Sequence, residues 1–272
     1  MSDTTQFFHQ EGLKATGTVQ EWNSDSKGNT RLWVVLPAFN EREAIETLLR
    51  KIVSIDFRHD LHIVVVDDAS TDDTAEIVSR LSFSMPVTLV QHPQNQGLAG
   101  AIRTGFGYCL KYGKEDDIVV TLDADDTQPP ATIPKMLVMI DEGYDVVIAS
   151  RYQPGSRTIG VPPHRLAMTW FAKWLFKIIT PIPGVWDYTC GFRAYRFSAL
   201  NQSSKHYQEN FVSEKGFSCM VDVLLKMRRF DLVMGEVPML LRYDQKAGPS
   251  KMKVAKTALQ TIRLLLRRRF IG

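Results

Sequence analysis

This sequence has little cysteine and no long hydrophobic run. Its three cysteines, Cys109, Cys190 and Cys219, have no C-x-x-C spacing among them. That argues against a zinc site or a disulfide framework and for a reducing cytosolic compartment. Residues 1–31 lack the apolar stretch of a signal peptide. No segment reaches the roughly 18 apolar residues of a membrane-spanning helix. The richest candidate, Leu166 to Ile182, is broken by Lys173, Lys177 and Pro181. No G-x-G-x-x-G follows the first strand-like run, which excludes the usual nicotinamide dehydrogenase. Internal repeats and low-complexity tracts are also missing.

What is there is ordinary in bulk and uneven in charge. The 272 residues are 44% hydrophobic and 23% charged, as expected of a globular protein with a sizeable core. The net charge of +3 hides an asymmetry. Residues 241–272 hold nine of the 33 basic residues and one of the 30 acidic ones, whereas the first 240 carry a net −5. A basic tail on a mildly acidic body suits either an anionic partner or plain solvation.

Apolar runs alternate with amphipathic ones. Strands are predicted at 31–36, 61–66, 86–90, 117–122 and 145–149. Helices are predicted at 41–52, from Ser70 or Asp72 as N-cap through Leu81, at 100–112 and at 134–142. That order implies right-handed βαβ units and a mostly parallel sheet flanked by helices. Residues 1–30 read as a flexible leader, 31–240 as one catalytic domain, and 241–272 as a basic tail. Past residue 150 the pattern is less regular.

Clustered carboxylates close the fourth strand: Asp123-Ala-Asp-Asp126. Open α/β sheets bind ligands at the carboxyl ends of their strands. Hard oxygen donors there suit Mg²⁺ or Mn²⁺, with substrate phosphates filling the remaining positions.

Four motifs occur in order: Leu36-Pro-Ala-Phe-Asn-Glu41, Val65-Val-Asp-Asp-Ala-Ser70, Asn95-Gln-Gly-Leu-Ala-Gly100 and Thr121-Leu-Asp-Ala-Asp-Asp-Thr-Gln-Pro-Pro130. Together the chain resembles a family 2 glycosyltransferase with a GT-A fold. Ser150-Arg-Tyr152 and Asp187-Tyr-Thr-Cys-Gly-Phe-Arg-Ala-Tyr195 are similar to dolichol-phosphate mannosyltransferases and bacterial polyprenyl-phosphate relatives.

The resemblance implies nucleotide-sugar binding by Pro37, Phe39, Glu41, Val66, Asp68, Asp123, Ala124, Asp125, Arg151, Arg242 and Lys251. It implies metal binding by Asp123 and Asp125, and acceptor-phosphate binding by Arg165, Thr169 and Arg193. Asp125, Arg151 and Arg165 would carry catalysis. Three positions depart from the family's usual residues: Phe39 replaces a common tyrosine, Thr127 a frequent glutamine, and Cys190 a serine. Ser218 stands where some relatives carry lysine, and the Arg242–Lys251 segment is about three residues longer.

The implied reaction is inverting, metal-dependent transfer of mannose from GDP-mannose, or glucose from UDP-glucose, to a polyprenyl phosphate. It would occur peripherally on the cytoplasmic face of a membrane, with no nucleic-acid partner. A phosphate acceptor needs no general base, because its second pKa is near ~6. Two rivals stand beside this reading. One is the same fold acting on a hydroxyl acceptor, with Asp187 or Asp222 as base. The other is a non-catalytic nucleotide-sugar-binding membrane partner. Trp170, Phe171, Trp174, Leu175 and Ile178 mark an apolar helix face suited to a bilayer interface or to core packing. Residues 256–270 read as a basic amphipathic helix suited to anionic lipid. Many family members continue into transmembrane helices there.

Overall fold

The structure, a computed structural model, describes residues 18–20, 30–245 and 264; for 163–168 and 171–172 it describes the backbone alone. The predicted strands appear as β2 (Arg31–Ala38), β3 (Asp60–Asp67), β4 (Val87–Gln91), β5 (Ile118–Thr121) and β6 (Val146–Ser150). They are legible because strands covered on both faces read as continuous apolar runs. Leu32 through Leu36 are all buried.

The helices between them are α1 (Ile45–Val53), α2 (Thr74–Leu81), α3 (Gly97–Tyr112) and α4 (Ile133–Asp141). In α1 the buried residues Ile45, Leu48, Leu49 and Ile52 form one stripe against the sheet. Each such side chain contributes roughly 1.5–3 kcal/mol on burial. On α3, Gly105 lets the helix sit directly on β2. A Cβ there would stand 2.3 Å from Val35 Cγ1, so a side chain at this position would force the layers apart.

One eight-stranded sheet runs β1-β4-β3-β2-β5-β8-β6-β9, with β1 (Thr18–Gln20), β8 (Arg193–Arg196) and β9 (Met234–Pro238) completing it. Most pairings are parallel; β8 runs antiparallel between β5 and β6, and β1 antiparallel to β4. The chain after residue 150 thus returns into the same sheet. Part of the expected leader does too, since Thr18–Gln20 covers the otherwise unpaired edge of β4.

Beyond β6 lie β7 (Arg157–Ile159), α5 (Pro163–Ile179), α6 (Phe197–Tyr207), α7 (Ser218–Met227) and β10 (Leu240–Arg242); β7 and β10 form a small separate ladder. The expected amphipathic helix at 256–270 lies outside the described residues apart from Leu264, which is helical and buried. Among the described residues no helix is long and apolar enough to cross a membrane.

Strand order places the site. From β2 the chain winds outward through β3 to β4, then crosses back to lay β5 on the other side of β2. In open α/β sheets such a reversal of strand order marks the ligand crevice, here at the carboxyl ends of β2 and β5. Buried Asp117 fixes this pair of strands at the opposite end. It accepts hydrogen bonds from the Arg31 and Lys114 amides and from Trp33 Nε1, all at 2.9 Å.

Candidate active site

Two strand-end loops make one wall of the crevice. Asn40, in the left-handed region at φ 53°, donates its amide to Ser70 Oγ and accepts from the Thr71 amide. Glu41 donates its amide to Thr74 Oγ1, and the Asp68 amide bonds the Ala38 carbonyl. Ser70 is therefore spent on the neighbouring loop and does not cap α2. Asp72 does not cap it either: the N-cap is Asp73, without a side-chain cap bond, and Asp72 accepts the Thr74 amide at 3.0 Å. Pro37 pairs in register with Val66 across β2 and β3. Pro37, Phe39 and Glu41 are half-buried there, while Val66 is fully buried.

The adjacent aspartates have different surroundings. Asp68 is buried and accepts the Gln96 and Gly97 amides at 2.8 and 2.7 Å, holding the start of α3. His92 joins it, with Nδ1 2.7 Å from Asp68 Oδ1 and Nε2 2.8 Å from Thr104 Oγ1. Asp67 Oδ2 accepts the Ser70 amide, whereas its Oδ1 is buried with no hydrogen-bond partner among the described residues. His92 was not legible in the sequence, because a lone histidine after a strand carries no pattern.

The other wall is the loop after β5. Asp123 and Asp125 are half-buried, and Ala124 is buried between them. Asp123 Oδ2 accepts from Gln128 Nε2 at 2.9 Å. Asp125 Oδ1 accepts from the Thr127 amide and from Thr127 Oγ1, at 3.2 and 2.7 Å. Asp126, at φ 56°, meets Lys51 of α1 at 2.5 Å. These bonds hold the acidic turn in one shape. Among the described residues no group of three or more His, Cys, Asp or Glu could hold a metal. A pair of carboxylates fits a hard cation that takes its other oxygens from a diphosphate and water.

Below this turn Gly191 packs on Asp123; a Cβ there would lie 3.6 Å from Oδ1. The Gly191 loop is anchored through Asp187, which is fully buried. Arg151 grips Asp187 with two bonds, Nε–Oδ2 at 2.8 Å and Nη2–Oδ1 at 2.7 Å, and also donates to Thr189 Oγ1. Burial opposes the Asp187 charge, but the guanidinium outweighs it and holds the carboxyl below its usual range. The same pairing, also against burial, raises Arg151. Glu236 of β9 receives the Trp186 and Asp187 amides at 2.7 and 2.6 Å. Its only sequence signal is a lone acid inside an apolar strand. Burial, with Asp187 nearby, pushes the Cys190 thiol up to about 12, so it sits there as a neutral group.

Three expectations are corrected. Arg193 is completely buried and gives its guanidinium to the backbone carbonyls of Cys190, Met220 and Tyr188, at 2.8, 2.6 and 2.7 Å. A guanidinium consumed by three carbonyls holds the fold together and is not presented to an acceptor phosphate. Asp187 is an anchored ion-pair partner and a poor base. Asp222 is equally buried, paired with Lys226 at 2.5 Å and with Ser213.

Four candidate residues remain. Arg242 donates its amide to the Thr127 carbonyl at 2.8 Å, so β10 lies against the acidic turn; its guanidinium pairs with Asp244 at 2.9 Å. Arg165 lies on α5 with its backbone alone described, and Lys251 is outside the described residues. Thr169 is half-buried one turn along α5, where its carbonyl accepts from Tyr152 Oη at 3.0 Å. Trp170, Trp174 and Ile178, at helical i, i+4, i+8 spacing, are 61%, 42% and 71% exposed. Core packing is thus excluded for these three, while Phe176 is buried.

The chain matches the family model described as glycosyl transferase family 2 over residues 33–203. It is 29% identical to a polyprenol monophosphomannose synthase of Mycolicibacterium smegmatis, over 82% of this chain and 81% of that protein. It is 31% identical to a dolichol-phosphate mannosyltransferase of Pyrococcus furiosus, over 86% of this chain but only 62% of that protein. A glucosyl-3-phosphoglycerate synthase from Mycobacterium tuberculosis, solved with Mn²⁺, UDP and glucosyl-3-phosphoglycerate, superimposes with a TM-score of 0.62 at 23% identity. The match covers 89% of this chain and 80% of that one. The fold is of the GT-A type, as the sequence motifs implied.

Proposed function

The chain belongs to glycosyl transferase family 2, and from that premise we propose that it transfers a hexose from a nucleotide sugar to a polyprenyl phosphate. The observation that carries this reading is the state of Asp187 and Asp222. Both carboxylates that the sequence offered as general bases are buried in ion pairs. A hydroxyl acceptor needs a base; a phosphate acceptor does not, since its second pKa near ~6 leaves it largely dianionic at neutral pH.

The step is a direct displacement. An acceptor phosphate oxygen forms a bond to the anomeric carbon, and the bond from that carbon to the diphosphate oxygen breaks. The electron pair leaves with the nucleoside diphosphate, and the configuration inverts. Asp123 and Asp125 would hold Mg²⁺ or Mn²⁺, which supplies charge to the departing diphosphate. Arg242, tied to the same turn, adds a guanidinium suited to phosphate oxygens. The β2 and β3 loops, laced by the Asn40 and Ser70 bonds, present a rigid shelf for the nucleoside. Within it, Asp67 Oδ1 is a carboxylate acceptor suited to a base N–H.

The donor is GDP-mannose or UDP-glucose; the mannosyl-transferring relatives favour the first. The exposed Trp170–Trp174–Ile178 face supports peripheral attachment to a membrane surface, where the acceptor lipid resides. We place that attachment on the cytoplasmic side.

An acceptor panel tests the reading. Purified protein is given GDP-mannose or UDP-glucose with Mn²⁺ and either a polyprenyl phosphate in detergent or simple hydroxyl acceptors. Transfer to the phosphate, with release of nucleoside diphosphate, is expected. Transfer to hydroxyl acceptors alone would overturn it.

A further inference from the structure

We infer that Lys173 is an acceptor-phosphate residue, its ammonium held by aromatic faces so that its hydrogen-bond donors stay available to an anion. This deepens the proposed function and rests on it. Lys173 Nζ lies 4.7 Å from the Tyr152 ring centroid and 4.8 Å from that of Trp186. It makes no ion pair with a carboxylate among the described residues. Ring faces attract the charge without consuming N–H groups, and an ammonium has three of these.

Lys177, one turn further on, shows the contrast. Its Nζ also lies over Trp186, but it donates to the Ile182 and Val185 carbonyls at 2.9 and 3.0 Å. That lysine is a structural strut; among the described residues the contacts of the Lys173 ammonium are ring faces.

Position links Lys173 to the chemistry. The Tyr152 ring is approached by both the Lys173 ammonium and the Arg151 guanidinium, the latter 5.6 Å from the ring centroid. Arg151 in turn reaches Thr189, two residues from the glycine packed on Asp123. Lys173 also stands four residues after Thr169, on the same face of α5. The exposed tryptophans border that face, so a lipid seated on them would carry its phosphate toward Lys173. An ammonium poised this way steers an anion and fixes it beside the donor.

Steady-state kinetics on the full chain, using a polyprenyl phosphate in detergent, test this with Lys173→Met and Lys173→Arg. Methionine keeps the packing volume and removes the charge. The acceptor KM should rise about tenfold or more, the loss of one charge-assisted hydrogen bond. The donor KM and Tm should hold, and arginine should recover part of the loss. An unchanged acceptor KM would overturn the inference. So would a joint rise of both KM values with a fall in Tm, the mark of a purely structural lysine. If the wild-type protein glycosylates no prenyl phosphate, the functional reading falls and this inference with it. If wild type is active and Lys173→Met matches it, only the inference falls.

Discussion

The Arg242 amide donates to the Thr127 carbonyl at 2.8 Å, joining the last described strand to the turn that carries Asp123 and Asp125. A basic residue remote in sequence is thereby set beside the acidic pair. Thr127 serves that turn twice, because its hydroxyl also donates to Asp125 Oδ1.

Replacing Asp125 by alanine removes one of the two carboxylates proposed to hold the cation. Divalent-dependent transfer should fall by about a hundredfold or more, with unchanged circular dichroism. Full activity in a Mn²⁺ titration of this variant would refute the metal assignment.

Thr127→Val keeps the shape of the side chain but deletes its hydrogen bond to Asp125. Groups that orient a metal ligand typically contribute about 10–100-fold in metal affinity. The Mn²⁺ concentration for half-maximal rate should rise by that order, while the rate at saturating metal changes less.

Asp187→Asn leaves Arg151 facing a neutral partner in a largely buried site, and loss of a buried pair costs about 3–5 kcal/mol. Urea denaturation should show that loss. Because the native pKa of Asp187 is depressed, its stabilisation is present above the unfolded carboxyl value and fades as pH falls through the native one. The variant should therefore lose part of the acid-side slope of stability.

His62 gives a second pH signature. Burial, with Arg31 nearby, lowers its pKa from 6.5 to about 4. Between those values the unfolded chain binds a proton that the native state refuses, so stability should increase with pH across that window. The change is on the order of 3 kcal/mol, from ~1.4 kcal/mol per unit. Thermal unfolding from pH 4 to 7 should show it, and His62→Gln should flatten the curve.

The parallel strands, the helices between them and the acidic turn are legible in the amino-acid order alone. Burial on both faces writes a strand as an unbroken apolar run, and ligand-binding turns at strand ends keep their polar residues in order along the chain. The family motifs then supplied the chemistry. What each polar residue is spent on emerges from the folded arrangement. Asp67 and Asp68 are neighbours with the same side chain, yet Asp68 holds the start of α3 while Asp67 keeps an oxygen unpaired among the described residues. Arg193 and Arg151 both lie in motifs, yet one is buried against carbonyls and the other is braced by Asp187 at the site. The antiparallel β8 and the cage around Lys173 depend on long-range neighbours as well. Hydrogen bonds and ring contacts are short-ranged in space and indifferent to sequence separation. A residue's donors and acceptors are therefore assigned only when distant segments meet.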